Sequence, residues 1–128
     1  YQVACGASTL TEDWDGPDPE RMHGSQNHLM LGSIEEWFYG SIGGMELIRD
    51  GLPFDQIRIA PRPEDGVDQA KVWTMHPYGR IAVEWQRKSG TVEVTVEIPP
   101  NVTAFLESPD GQVCRKVGSG CYTYSFAG

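Results

Sequence analysis

The chain has 128 residues, a formal net charge of −8 and an ordinary globular composition, 39% hydrophobic and 22% charged. That length suffices for a domain with a real core, and no apolar run approaches the roughly 20 residues of a membrane helix, so no membrane partner is expected. Ten basic against 18 acidic side chains argue against nucleic acid, whose phosphates need clustered Lys and Arg.

The acidity is uneven. Residues 1–50 carry nine acids against two bases, Arg21 and Arg49, whereas residues 51–128 carry nine against eight. Residues 1–24 read as irregular, rich in Gly, Pro and Asp, with Pro17 and Pro19 blocking a continuous helix. The chain opens abruptly in YQVAC, without an initiator Met or a signal peptide, as expected of the tail of a longer protein. Ser25 is a good N-cap, with Asn27 and His28 in the first turn of the helix it would open. Leu31, Ile34, Trp37, Phe38, Ile42 and Met45 follow at spacings of three and four, which predicts one buried helical face, with Glu35, Glu36 and Glu46 off it. Gly43-Gly44 weakens this helix, Asp50-Gly51 ends it, and Leu52-Pro53 turns the chain.

From about Gln56 the period changes to two. Ile57 and Ile59 alternate with polar neighbours, and Ala70, Val72 and Thr74 share one side of the next run. GRIAVEWQR puts Ile81, Val83 and Trp85 on one face, and TVEVTVEI does the same with Val92, Val94, Val96 and Ile98. Shorter runs at 102–106, 112–116 and 121–126 follow, with turn signals at 77–79, 88–90, 109–111 and 118–120. About seven short strands without intervening helices predict an antiparallel β-sandwich, with Trp73 and Trp85 in its core. Trp37, Phe38 and Tyr39 are expected to be core on the helix face. Cys114 and Cys121 flank a short turn and can pair across a hairpin or stay free, and no Cys/His spacing suits zinc. Asn101-Val102-Thr103 matches a glycosylation triplet, a pattern common by chance.

Chemistry concentrates in GASTLTEDWDG, residues 6–16, and GSQNH, residues 24–28. An acid, an indole and an imidazole converging on one pocket make a sugar site. Taken alone, Glu12 is one Glu of an acidic loop, which Ser8, Thr9 and Thr11 can supply with hydroxyls. Trp14 either stacks on a sugar face or packs beneath the loop. His28 either bonds a sugar hydroxyl or packs locally at the helix start. Asp13, Asp15, Asp18 and Glu20 do not have the spacing of an EF-hand loop and read as a solvated turn.

GASTLTEDWDG followed by SQNHLMLGSIEEWFY resembles the end of the catalytic domain of bacterial α-L-rhamnosidases, with its Gly-Ala-Thr-Thr-x-x-Glu-x-Trp-Asp and Ser-x-Asn-His segments. LIRDGLPFDQIRIAPRP, HPYGRIAVEWQR, VEVTVEIPPNVTA and VGSGCYTYSF resemble pieces of that family's terminal β-sandwich, so the likeness spans nearly the whole chain. It implies an α+β fragment: the last helix and loop of an (α/α)6 barrel over residues 1–52, then an antiparallel β-sandwich over 53–128. It also implies hydrolysis of terminal α-L-rhamnosyl residues with inversion. Glu12 matches the general base and His28 a rhamnose contact, with Trp14 beside them. The general acid lies outside this chain, so the fragment alone is expected to be inactive. Thr11 stands where an aromatic is common and Asp13 where Arg is frequent, departures that bear on the leaving group rather than the reaction. The chemistry needs no cofactor and no metal. The expected partners are a rhamnose-containing carbohydrate and the remainder of the catalytic domain. Three other readings compete: a carbohydrate-binding sandwich, a sandwich that only supports the barrel, and an (α/α)6 glycosidase for another sugar.

Overall fold

The computed structural model describes residues 1–48 and 55–128. The chain divides into two compact units, Tyr1–Glu36 and Trp37–Gly128. The first is mostly turns, with a short 3₁₀ turn at Val3–Cys5 and another at Leu29–Ser33. A single α-helical turn, α1 (Ile34–Trp37), follows, and Phe38–Ile42 widens into a π-turn closed by the Gly43 amide on the Phe38 carbonyl at 2.8 Å.

The helix is therefore shorter and less regular than its apolar spacing predicts. Gly32 and Gly40 interrupt it, and Ile34, Trp37, Phe38 and Tyr39 are weak helix formers. Ser25 does not cap it: the helical backbone begins at Leu29, and His28, just before it, makes no side-chain capping bond. Trp37, Phe38 and Tyr39 are exposed or half-exposed, not core. Its C-terminal end is fixed by the sandwich. The buried Trp85 indole N–H donates to the Ile42 carbonyl at 2.7 Å, satisfying an acceptor left over at the end of the helix. Gly44 then takes φ +68°, with its α-carbon so close to the Ala60-Pro61 backbone that no side chain would fit. Met45–Leu47, expected to continue the helix, is strand β1. The expected stop at Asp50-Gly51 and the turn at Leu52-Pro53 lie outside the described residues.

The second unit is a two-sheet sandwich. One sheet has the order β1-β2-β6-β7, with β2 at Gln56–Ile59, β6 at Thr103–Glu107 and β7 at Cys114–Val117. The other has the order β3-β4-β5-β8, with β3 at Gln69–His76, β4 at Gly79–Lys88, β5 at Thr91–Ile98 and β8 at Gly120–Ala127. Period-two alternation supplies the core from both sheets: Ile57, Ile59, Ala104 and Leu106 from one, and Ile81, Val83, Trp85, Val92, Val94 and Val96 from the other. The β4–β5 hairpin closes through Ser89 (φ 50°) and Gly90 (φ 78°), the two positive values of a tight two-residue turn.

Four features depart from the sequence pattern. β2 and β6 run parallel, Gln56 beside Thr103 through Ile59 beside Leu106, while every other described pair is antiparallel. Among the described residues there are eight strands, the addition being β1. Trp73 is 51% exposed: once Ala70, Val72 and Thr74 face inward, the pleat turns Trp73 outward. Gly118-Ser119 does not join a hairpin but carries the chain between sheets, since β7 pairs with β6 and β8 with β5. Cys114 and Cys121 thus sit in different sheets, and all three cysteines are free.

Candidate functional site

The segment holding Glu12 is built on the main chain. The Glu12 amide donates to the Ser25 carbonyl at 2.9 Å, and the His28 amide donates to the Leu10 carbonyl at 2.8 Å. The Thr9 hydroxyl donates to the Gln26 carbonyl. Residues 9–12 and 25–28 therefore run side by side, and residues 13–24 form a loop closed at that neck. The neck also explains why Ser25 is not a helix cap: its hydroxyl accepts the Asn27 amide at 3.4 Å in a local turn, and the helical backbone begins only at Leu29.

Within the loop, successive turns satisfy the backbone. Gly16 donates to Asp13 at 3.0 Å, Asp18 to Asp15 at 3.0 Å, Arg21 to Asp18 at 3.1 Å, and His23 back to Gly16 at 3.1 Å. The Thr11 hydroxyl, buried, donates to the Asp13 carbonyl at 2.8 Å. Gly24 takes φ +66°, and a Cβ there would strike the Asp13 carboxylate.

The Glu12 carboxylate is half-exposed. Its Oε2 accepts the Ser25 amide at 3.0 Å and lies 4.0 Å from His28 Nδ1, beyond hydrogen-bond reach but close enough for one small group to meet both. Of the three expected hydroxyl donors, Thr9 is engaged on Gln26 and Thr11 on Asp13, and Ser8 makes no bond to Glu12; the donor that reaches Glu12 is the Ser25 N–H. An amide N–H carries no side-chain signature, so the sequence could not reveal it. Trp14 is 73% exposed and turned to a different neighbour: its ring stacks on Tyr1 with centroids 6.5 Å apart. The fold thus brings Glu12 and His28 together, while Trp14 faces Tyr1.

Two further residues organise the loop. The Gln26 side-chain amide donates to the carbonyls of His23 at 2.7 Å and Gly16 at 3.1 Å, with Gly24 at 3.4 Å. His23 lies between carboxylates, its Nε2 3.4 Å from Asp15 and 3.8 Å from Asp13, with Nδ1 2.7 Å from the Arg21 carbonyl. The Arg21 carbonyl first, then Asp15 and Asp13, raise its pKa above the usual imidazole value. Among the described residues no three His, Cys, Asp or Glu side chains are grouped to hold a metal ion.

An exposed carboxylate held by one amide, with an imidazole beside it, can accept a proton from a water or bond a hydroxyl-rich ligand. The class the fold defines is an irregular helical segment followed by a two-sheet β-sandwich. The family described as bacterial α-L-rhamnosidase C-terminal domain matches residues 44–121, and the one described as bacterial α-L-rhamnosidase 6 hairpin glycosidase domain matches residues 1–42. The chain belongs to the bacterial α-L-rhamnosidase family. It is 30% identical to an α-L-rhamnosidase of Streptomyces avermitilis and 35% identical to one of Formosa agariphila, over 98% and 96% of its own length. It spans 14% of the length of each of these relatives. Among solved structures, native α-L-rhamnosidase from Aspergillus terreus superposes with a TM-score of 0.78 at 31% identity, covering 98% of this chain and 15% of that one. The Streptomyces avermitilis enzyme, complexed with L-rhamnose, gives 0.76 at 29% identity, with 98% and 14% covered.

Proposed function

We propose that this chain is part of an α-L-rhamnosidase that hydrolyses terminal α-L-rhamnosyl residues with inversion, and that Glu12 is its general base. The observation that carries this reading is the Glu12 carboxylate, exposed, fixed by the Ser25 amide and 4.0 Å from His28 Nδ1. It lies in the stretch that matches the 6 hairpin glycosidase family. The base removes a proton from the attacking water while a second carboxyl group, supplied by the remainder of the catalytic domain, protonates the departing oxygen. In inverting enzymes the two stand roughly 6.5–9.5 Å apart to leave room for that water. His28 donates to or accepts from a ring hydroxyl, and Trp14 offers an exposed indole at the edge of the same loop. The L-rhamnose bound by the Streptomyces avermitilis relative supports the choice of sugar. The chemistry calls for no cofactor. The apolar side chains of the helical segment, Leu29, Met30 and Ile34, all half-exposed or more, are surface for the remainder of the catalytic domain.

The test is the intact parent enzyme acting on a panel of aryl glycosides. We expect turnover of the α-L-rhamnoside, with the β-anomer appearing first by NMR. Glu12→Gln lowers kcat by about 10²–10⁴-fold with folding retained. Retained turnover in that variant removes Glu12 from the role, and preference for another glycoside changes the sugar.

A further inference from the structure

We propose that Gln26 is a positioning residue for the Glu12 carboxylate, an inference that rests on the reading of Glu12 as the base. A half-exposed Glu has free rotation about its side-chain bonds, yet a base must meet its water at one place. Among the described residues the backbone donor that fixes Glu12 is the Ser25 N–H, at 3.0 Å from Oε2. The direction of that N–H is set by the Gly24-Ser25 peptide, and a glycine there resists rotation poorly.

Gln26 supplies the missing resistance. The folded loop turns the carbonyls of Gly16, His23 and Gly24 toward one point, where three acceptors repel unless a donor lies among them. The Gln26 amide nitrogen occupies that point, with its closest approaches to His23 and Gly16. The main-chain carbonyl of Gln26 is itself held by the Thr9 hydroxyl, on the segment that leads into Glu12. The residue is thus fastened on one side to the loop and on the other to the segment carrying the base. Ser25 lies between these fastenings, its amide aimed at Oε2. Gln26 acts on the carboxylate through Ser25 and has no part in the proton transfer. The two amide hydrogens serve the two close carbonyls, His23 and Gly16, with the Gly24 carbonyl at the margin. Asn is one methylene short, Met brings no donor, and a carboxylate adds a fourth acceptor.

The experiment uses the intact parent enzyme and an aryl α-L-rhamnoside. Gln26→Met is expected to lower kcat about 10- to 100-fold with KM nearly unchanged, since misplacing the base harms the reaction and not sugar binding. Gln26→Glu is expected to lose most at neutral pH and least near pH 4–5, where a protonated carboxyl can still donate one hydrogen bond. The ratio of wild-type to Gln26→Glu kcat therefore rises with pH. Glu12, Asp13, Asp15 and His23 face the same loop, so Gln26→Met, which adds no charge, is measured over the same pH range as the control. Each kcat is divided by the folded fraction measured at the same pH, since protonation of the new carboxyl also changes folding, and the corrected ratio decides the matter if Gln26→Met misfolds. A flat ratio, or wild-type kcat in both variants while Glu12→Gln is inactive, overturns the positioning role and leaves the base reading standing. Full turnover in Glu12→Gln overturns both.

Discussion

Thr11, Gly16 and Pro17 are the buried residues of the unit Tyr1–Glu36, and none is a large apolar side chain. The unit Trp37–Gly128 buries fifteen hydrophobic residues in one cluster that draws on both sheets. The first is held by hydrogen bonds, many of them from a side chain to a carbonyl: Thr9 to Gln26, Thr11 to Asp13, Gln2 to Trp14, and Gln26 to three carbonyls of the loop. The second is held by excluded apolar area, which is non-directional and shared among many residues. The difference teaches where each region is vulnerable. A polar loop can present a carboxylate to solvent in one orientation without a core beneath it, but each donor matters alone. A sandwich tolerates surface change and fails where a buried group loses its partner.

Trp85→Phe is the sharpest test of the sandwich side. It retains most of the apolar volume and removes the indole N–H, leaving the Ile42 carbonyl buried without its donor. The expected loss is about 1–3 kcal/mol, which lowers the melting midpoint by roughly 4–8 °C for each kcal/mol. A midpoint unchanged by Trp85→Phe would mean that the end of the helix is not anchored by this bond.

Arg58→Ala should matter less. Arg58 on β2 reaches Glu46 on β1 at 3.0 Å and Glu107 on β6 at 2.7 Å, so one guanidinium ties three adjacent strands. Glu107 first and then Glu46 hold its pKa above the ordinary arginine value. The three side chains are about a third to a half exposed, so water screens much of the attraction, and we expect a loss of about 1 kcal/mol or less. The difference between wild type and variant should shrink in 1 M salt. A salt-independent loss would place the effect in the packing of the Arg58 stem instead.

The same contrast governs what could be read from residues alone. Strict alternation in IRI, GRIAVEWQR and TVEVTVEI placed β2, β4 and β5 and their buried faces, because a half-buried strand writes its face into the sequence. Alternation does not encode which strand lies beside which, so the parallel β2–β6 pair and the crossing between β7 and β8 had no signal. Met45 follows Ile42 at a spacing of three, which suits a helix and not a strand, so the pattern points to helix although Met45 opens β1. What separates them is Gly44 against Ala60 and Pro61, a contact distant in sequence. The chemistry of an indole suggests core for Trp73, although the inward positions of Ala70, Val72 and Thr74 already require it to face out. In the loop, Glu12 and His28 were singled out by a family motif. Ser25 has the sequence pattern of a helix cap, and Gln26 has no signal at all, because carbonyls converging on one amide leave no pattern in sequence.

His23 probes the polar side of the comparison with the smallest expected effect. The Arg21 carbonyl, Asp15 and Asp13 favour its charged form, so its pKa in the folded protein stands above the ordinary value near 6.5. A group whose folded pKa is raised adds stability in full below the unfolded value and loses it as pH rises through the folded one. The loop should accordingly loosen as pH climbs above about 6.5. The amides of Gly16 and His23, which close the loop on the carbonyls of Asp13 and Gly16, report this directly. After correction for intrinsic exchange, their hydrogen exchange should speed up across that rise in wild type and be flat in His23→Gln. The ring is well exposed, so the effect should stay local, with no matching change in the melting midpoint of the sandwich. A midpoint that followed the His23 titration would mean that the loop and the apolar core do not answer to separate forces after all.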